Sequence, residues 1–180
     1  MNLFILLLAL NCWALRTPPI FETGKVISSQ GFVIDYAKSS WQKSEAPTNL
    51  ENQLVALFKL KDSNSKTATL TVRVDPQNNI RSLREYTEKW LKSFSQFGLD
   101  VLGHQNFKNK NDIKGMVIDL LSENSKKKIR QVIFFKDSKA VVMTCMDQQS
   151  EFTETLKKCN ELIQNFDWIE NSPAAEKLSL

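Results

Sequence analysis

A chain of 180 residues has room for one ordinary domain. With 42% hydrophobic and 24% charged residues, the composition excludes a disordered or membrane-embedded protein. A net charge of +4 suits a soluble surface and does not single out nucleic acid as a partner.

Leu3–Leu10 is an unbroken run of eight apolar residues. It is too short for a bilayer span, which takes roughly 20 residues, but it matches the apolar core of a secretory signal. The positive segment that normally precedes such a core is poor, because Asn2 adds no charge. Small residues at Cys12 and Ala14 allow cleavage after Ala14, making residues 1–14 a signal peptide. Alternatively, Ala9-Leu10-Asn11-Cys12 resembles a bacterial lipobox with Cys12 as the lipidated residue, although Asn11 stands where Gly, Ala or Ser is usual. A third alternative is an uncleaved anchor or a buried first strand. Either of the first two readings places the protein in the periplasm or cell envelope, soluble or lipid-anchored.

Residues 15–30 show no clear period and read as a lead-in segment. Phe32, Ile34 and Tyr36 alternate with Val33 and Asp35, the pattern of a half-buried strand. A polar stretch carrying Trp41 follows and reads as a loop. Leu54–Leu60 and Thr67–Val74 flank the turn formers Asp62-Ser63-Asn64-Ser65 and read as an antiparallel hairpin.

Ser82-Leu83-Arg84-Glu85 is a capping box, so a helix starts there. Leu83, Tyr86, Trp90, Phe94 and Phe97 recur at helical spacing, and Gly98 is placed to close the helix in a left-handed conformation. This aromatic face is expected to pack into the core. Four strands follow, at Leu99–Phe107, Ile113–Leu121, Ile129–Phe135 and Ala140–Met146, joined by short polar turns. A last helix spans about 150–166, with Phe152, Leu156, Cys159, Ile163 and Phe166 on its apolar side. Residues 170–180 read as a flexible polar tail.

Cys145 shares a strand face with Val141 and Met143, and Cys159 lies on the apolar side of the helix that follows. If that helix folds back onto the sheet the two meet, and a disulfide is expected; two buried free thiols are the alternative. His104 is the only histidine. A Ser-His-Asp arrangement would have to use it, yet no nucleophile motif accompanies it. Asp75 and Asp147 sit at strand ends, but no calcium-loop pattern surrounds them. No phosphate-cradling glycine loop occurs, and neither cofactor nor metal is expected. Lys126, Lys127, Lys128 and Arg130 form the densest basic run, at a hairpin tip. That run reads as a solvated turn, or as a contact for an acidic partner or an anionic membrane surface.

Phe32-Val33-Ile34-Asp35-Tyr36 followed by Trp41 resembles the opening of the PsbP-like superfamily, an F-x-I-x-Y-P-x-x-W pattern, with Ala37 in place of the proline. Phe166-Asp167-Trp168 is similar to that family's closing S-F-x-W. The resemblance covers residues 31–169 and includes DcrB-type envelope proteins, a photosystem oxygen-evolving subunit and Ran-binding Mog-type proteins. It implies an α+β fold: a central antiparallel sheet of about six or seven strands with helices packed on both faces, an α/β/α sandwich. It also implies an accessory or binding role without catalysis, and no shared set of functional residues. The expected function is therefore that of a non-enzymatic exported protein supporting another envelope protein, with no nucleic acid among its partners. The alternative is a small-molecule, lipid or metal binder using a cleft between the sheet and the helix at 82–98.

Overall fold

The computed structural model describes residues 20–47, 54–61, 67–77 and 79–169. The apolar run at 3–10, Cys12, the cleavage site after Ala14, the turn at 62–65 and the tail at 170–180 lie outside the described residues.

In chain order the elements are β1 (Ile20–Glu22), β2 (Lys25–Ser28), β3 (Phe32–Asp35), β4 (Trp41–Ser44), β5 (Ala56–Leu60) and β6 (Thr69–Pro76). Then come α1 (Leu83–Leu91), a 3-10 helix (Phe94–Phe97), β7 (Asp100–Lys108), β8 (Lys114–Ser122), β9 (Lys127–Lys136), β10 (Lys139–Gln148), α2 (Phe152–Gln164) and β11 (Phe166–Trp168). The strands form a seven-stranded antiparallel sheet, β4-β5-β6-β10-β9-β8-β7, and a four-stranded sheet, β1-β2-β3-β11.

This partition corrects three expectations. The alternating segment at Phe32 is a strand, but it joins the smaller sheet, pairing with β2 and β11. The lead-in segment contributes β1 and β2, which turn tightly at Gly24, where φ is 82°. Trp41, read as part of a loop, instead opens β4 and is fully buried at the edge of the larger sheet.

The centre of the larger sheet is the β9–β10 hairpin. Its two-residue turn, Asp137-Ser138, has φ of 48° and 56°, the doubly left-handed geometry that matches strand twist in a tight hairpin. Successive β10 residues point to opposite faces. Val141, Met143 and Cys145 pack with Phe152, Cys159, Leu162 and Ile163 of α2 and with Val26, Phe32, Ile34 and Phe166 of the smaller sheet. Ala140 and Val142 pack with Ile118, Ile133 and Tyr86 of α1. The α2 face is thus covered by a helix and a second sheet together.

The helix expected over 82–98 ends early. Ser82 caps it, its Oγ accepting from Glu85 N at 3.1 Å, while the Glu85 carboxylate accepts from Arg81 N at 3.0 Å, one residue before the cap. After Leu91 the chain changes to the 3-10 turn, closed by Gly98 at φ 67°. A 3-10 turn advances side chains by 3.0 residues per turn instead of 3.6, so the aromatic stripe loses its register. Phe94 remains buried, but Phe97 is 65% exposed and leans on Trp90, with ring centroids 6.4 Å apart. Phe97 is therefore not the core residue that its spacing suggested.

Candidate functional site

α2 is held on the sheet at several points. Cys145 and Cys159, both fully buried, form a disulfide across a sequence separation of 14. Two residues along β10, the buried carboxylate of Asp147 accepts from Thr155 Oγ1 at 2.6 Å and from Thr67 Oγ1 at 2.5 Å. Trp41 Nε1 donates to the Lys158 carbonyl at 2.9 Å, tying the far edge of the sheet to the same helix. At the helix C-terminus, Asn165 Nδ2 donates to Asp35 O at 2.9 Å, and Lys110 N donates to Gln164 Oε1 at 2.6 Å.

The opposite end of α2 roofs a pocket of about 260 Å³. Its walls are Phe152, Thr153 and Leu156 from the helix, with Leu102, Gly103, Asp119, Lys128 and Arg130 from β7, β8 and β9. The register explains how strand residues so far apart in sequence meet. Gly103 lies opposite Asp119, which lies opposite Arg130, which lies opposite Cys145, one line across the face beneath α2. Arg130 grips Asp119 with two 2.7 Å hydrogen bonds, Nε to Oδ1 and Nη2 to Oδ2. The two side chains are only 18% and 33% exposed, so the paired, two-point geometry fixes a polar floor.

β7 is the outer strand beside this pocket, and every residue in it is exposed except Phe107. A bulge between Val101 and Gly103 inserts Leu102 into the ladder. Bulges bend a strand and re-aim side chains. Val101 and Leu102 are 40% and 55% exposed, and with Phe97 they are the exposed large hydrophobics among the described residues. All three fall within one six-residue stretch of chain.

The basic run is divided between a turn and the two faces of a strand. Lys126 occupies the β8–β9 turn with φ 50°. Lys127 and Lys128 begin β9 and point to opposite faces by strand alternation. Lys128 and Arg130 face the pocket, whereas Lys127 lies on the side of Ile129, which packs toward α1. His104 is exposed on β7 opposite Ile118. Leu102, Gly103 and Asp119 escaped the sequence reading. The available signals were a lone glycine inside a strand and two adjacent apolar residues breaking the alternation.

The α1 face carries a different polar group. Tyr86, fully buried, donates from its hydroxyl to Asp75 Oδ2 at 2.5 Å, and Arg73 lies 3.3 Å from the same carboxylate oxygen. Burial first, and then the bond to Asp75, hold the Tyr86 phenol well above its usual value of 10.0. Tyr86, Phe94 and the Trp90 ring fill the space between α1 and the sheet. A second pocket of about 260 Å³, lined by Lys38, Ser39, Ser40, Lys61 and Lys158, opens beside β4 and α2. Among the described residues no group of three or more His, Cys, Asp or Glu side chains could hold a metal ion.

No family model matches the sequence, and no curated protein matches it. Solved structures do match the fold. The cyanobacterial PsbP of Synechocystis sp. PCC 6803 superposes with a TM-score of 0.60 at 7% identity, over 83% of this chain and 95% of that one. The chain has the PsbP-like fold. A protein of unknown function from Pseudomonas aeruginosa, described as a putative regulator, superposes with a TM-score of 0.55 at 12% identity, over 70% of this chain and 95% of its own. At these identities the likeness is one of architecture.

Proposed function

We propose that this chain is a non-enzymatic accessory protein of an oxidising, extracytoplasmic compartment, and that it binds another protein through the β7 edge. One observation carries the reading: among the described residues the exposed large hydrophobics, Phe97, Val101 and Leu102, all fall within six residues at the start of an outer strand. Scattered exposed apolar residues are ordinary, but a concentrated group marks an interaction surface. The Cys145–Cys159 disulfide supports an exported location, since such bonds persist where thiols are not kept reduced. The PsbP-like architecture supports an accessory role by resemblance. Lys128, on the β9 wall of the adjoining pocket, favours a partner surface with negative charge.

A photoreactive p-benzoylphenylalanine at Leu102 tests this in envelope fractions of cells making the protein, with the same residue at Gln42, exposed on the distant β4, as control. A discrete protein adduct at position 102, absent at position 42, is expected. Adducts that are missing at 102, or the same at both positions, would overturn the reading.

A further inference from the structure

We infer that the pocket behind the β7 bulge seats a bulky apolar side chain of an extended partner segment, next to a carboxylate on that segment. In this arrangement Gly103 is the residue that keeps the seat open. The inference rests on the reading of β7 as a docking edge and adds the chemistry of what docks there.

Gly103 is the starting point, because neither its backbone φ nor the packing around it requires a glycine. Gly24, Gly31 and Gly98 have φ of 82°, 87° and 67°, where other residues are strained. Gly115 has an ordinary φ, but a Cβ there would meet Ile133 O at 2.8 Å and the Phe134 ring at 3.2 Å. Gly103 has neither a left-handed backbone nor a close neighbour: a Cβ would find nothing within 4 Å among the described residues. Glycine is a poor strand residue, so its place here has a cost with no structural return. What it does leave is open space above the Asp119–Arg130 pair, next to Leu102, Phe152 and Leu156.

Size and charge select the occupant. A volume of about 260 Å³ lies below the roughly 300–1,000 Å³ typical of small-molecule sites, but it accepts a large side chain. Leu102, Phe152 and Leu156 supply apolar walls. Arg130 is already matched by Asp119, so the net positive charge of the rim comes from Lys128. A carboxylate next to the inserted side chain complements that charge. A segment lying along β7 would reach the pocket at the bulge, where Leu102 has no partner residue in the ladder.

A random peptide library displayed on phage and selected against the full chain tests the inference. Enriched peptides are expected to place Phe, Leu, Ile, Met or Trp beside Asp or Glu. One synthesised peptide from that set should bind Gly103→Val at least tenfold more weakly, with the thermal midpoint of the protein unchanged. Lys128→Glu should weaken the same peptide about tenfold, and replacing the peptide's acid by its amide should remove that difference. Enrichment without an acid, or equal binding to Gly103→Val, would overturn the inference. If Leu102→Lys then still abolished that binding, the docking edge would stand without the pocket. Sodium octanoate forms a separate arm: binding of octanoate that is lost in Gly103→Val, with no enriched peptide, would mark a lipid site and overturn the inference. A library that enriches nothing, with no octanoate bound, would overturn it too, leaving the β7 reading to the crosslink at Leu102.

Discussion

The two ends of the sheet beneath α2 each contain a glycine, and they use it in opposite ways. At one end Gly115 on β8 lets the Phe134 ring lie flat against the strand, and Phe134 stacks on Phe166 with centroids 4.1 Å apart and planes 1° from parallel. The turn next to it is secured as well: buried Asn109 accepts from Asn111 N and Ile113 N through Oδ1, and donates to Phe166 O at 2.8 Å. At the other end Gly103 faces a space that no side chain among the described residues fills, although Leu102, Phe152 and Leu156 stand around it. A glycine under an aromatic ring belongs to packing. A glycine under a void, beside exposed apolar residues, points outside the molecule. The residue type is the same at both positions, and only the neighbours distinguish a structural role from an open site.

The sharpest way to break this contrast is to release α2, which runs from the open end to the packed one. Replacing both Cys145 and Cys159 by Ala removes a crosslink across a separation of 14 and should cost about 3 kcal/mol in denaturant unfolding, on chain-entropy grounds. The loss should not be even along the helix. The C-terminal turn keeps its bonds to Asp35 and Lys110, and the middle of the helix keeps Asp147–Thr155 and Trp41–Lys158, whereas the first turn has no side-chain cap. Hydrogen exchange should therefore speed up more at residues 155–157, whose amides bond back to that first turn, than at 162–165. Equal acceleration would mean that the two ends are not independently held, and the contrast would fail.

The next largest effect belongs to Gly115→Val. The added methyl groups would press on Ile133 O and the Phe134 ring, overpacking that should cost roughly 1–3 kcal/mol. Urea unfolding measures it directly. A cost near zero would show that Phe134 can retreat and that the packed end is looser than its contacts suggest.

How far the sequence foretold this contrast depends on the distance between the residues involved. The alternation in 113–121 and 129–135 marked β8 and β9, and the short separation of Cys145 and Cys159 marked their pairing, because each signal is local. Phe32–Tyr36 announced a strand but not which sheet it would join, since its partners, β2 and β11, lie in a segment read as lead-in and at the end of the last helix. The aromatic spacing from Leu83 to Phe97 concealed the break after Leu91, because steps of three and four residues in the sequence are compatible with either kind of turn. The pocket left the weakest trace. Positions 102, 119, 130 and 156 meet only after three strands align and α2 folds back, and no spacing in the chain announces that. Three consecutive lysines with Arg130 two positions on invited reading as one patch, but strand alternation sends Lys127 and Lys128 to opposite faces.

The smallest expected effect is the most discriminating one. Gly103→Val should change the unfolding free energy by no more than about 0.5 kcal/mol, the range of surface substitutions that touch nothing. The side chain has room, its backbone φ is not left-handed, and a β-branched residue suits a strand better than glycine does. Urea unfolding beside Gly115→Val makes the comparison internal, with the same substitution in two neighbouring strands under the same helix. A loss of about 1 kcal/mol or more at position 103 would mean that the bulge itself needs glycine, and the space above Asp119 and Arg130 would then be a by-product of bending β7. Near-neutrality at 103 with a clear loss at 115 would leave function as the reason for a residue that the fold does not require.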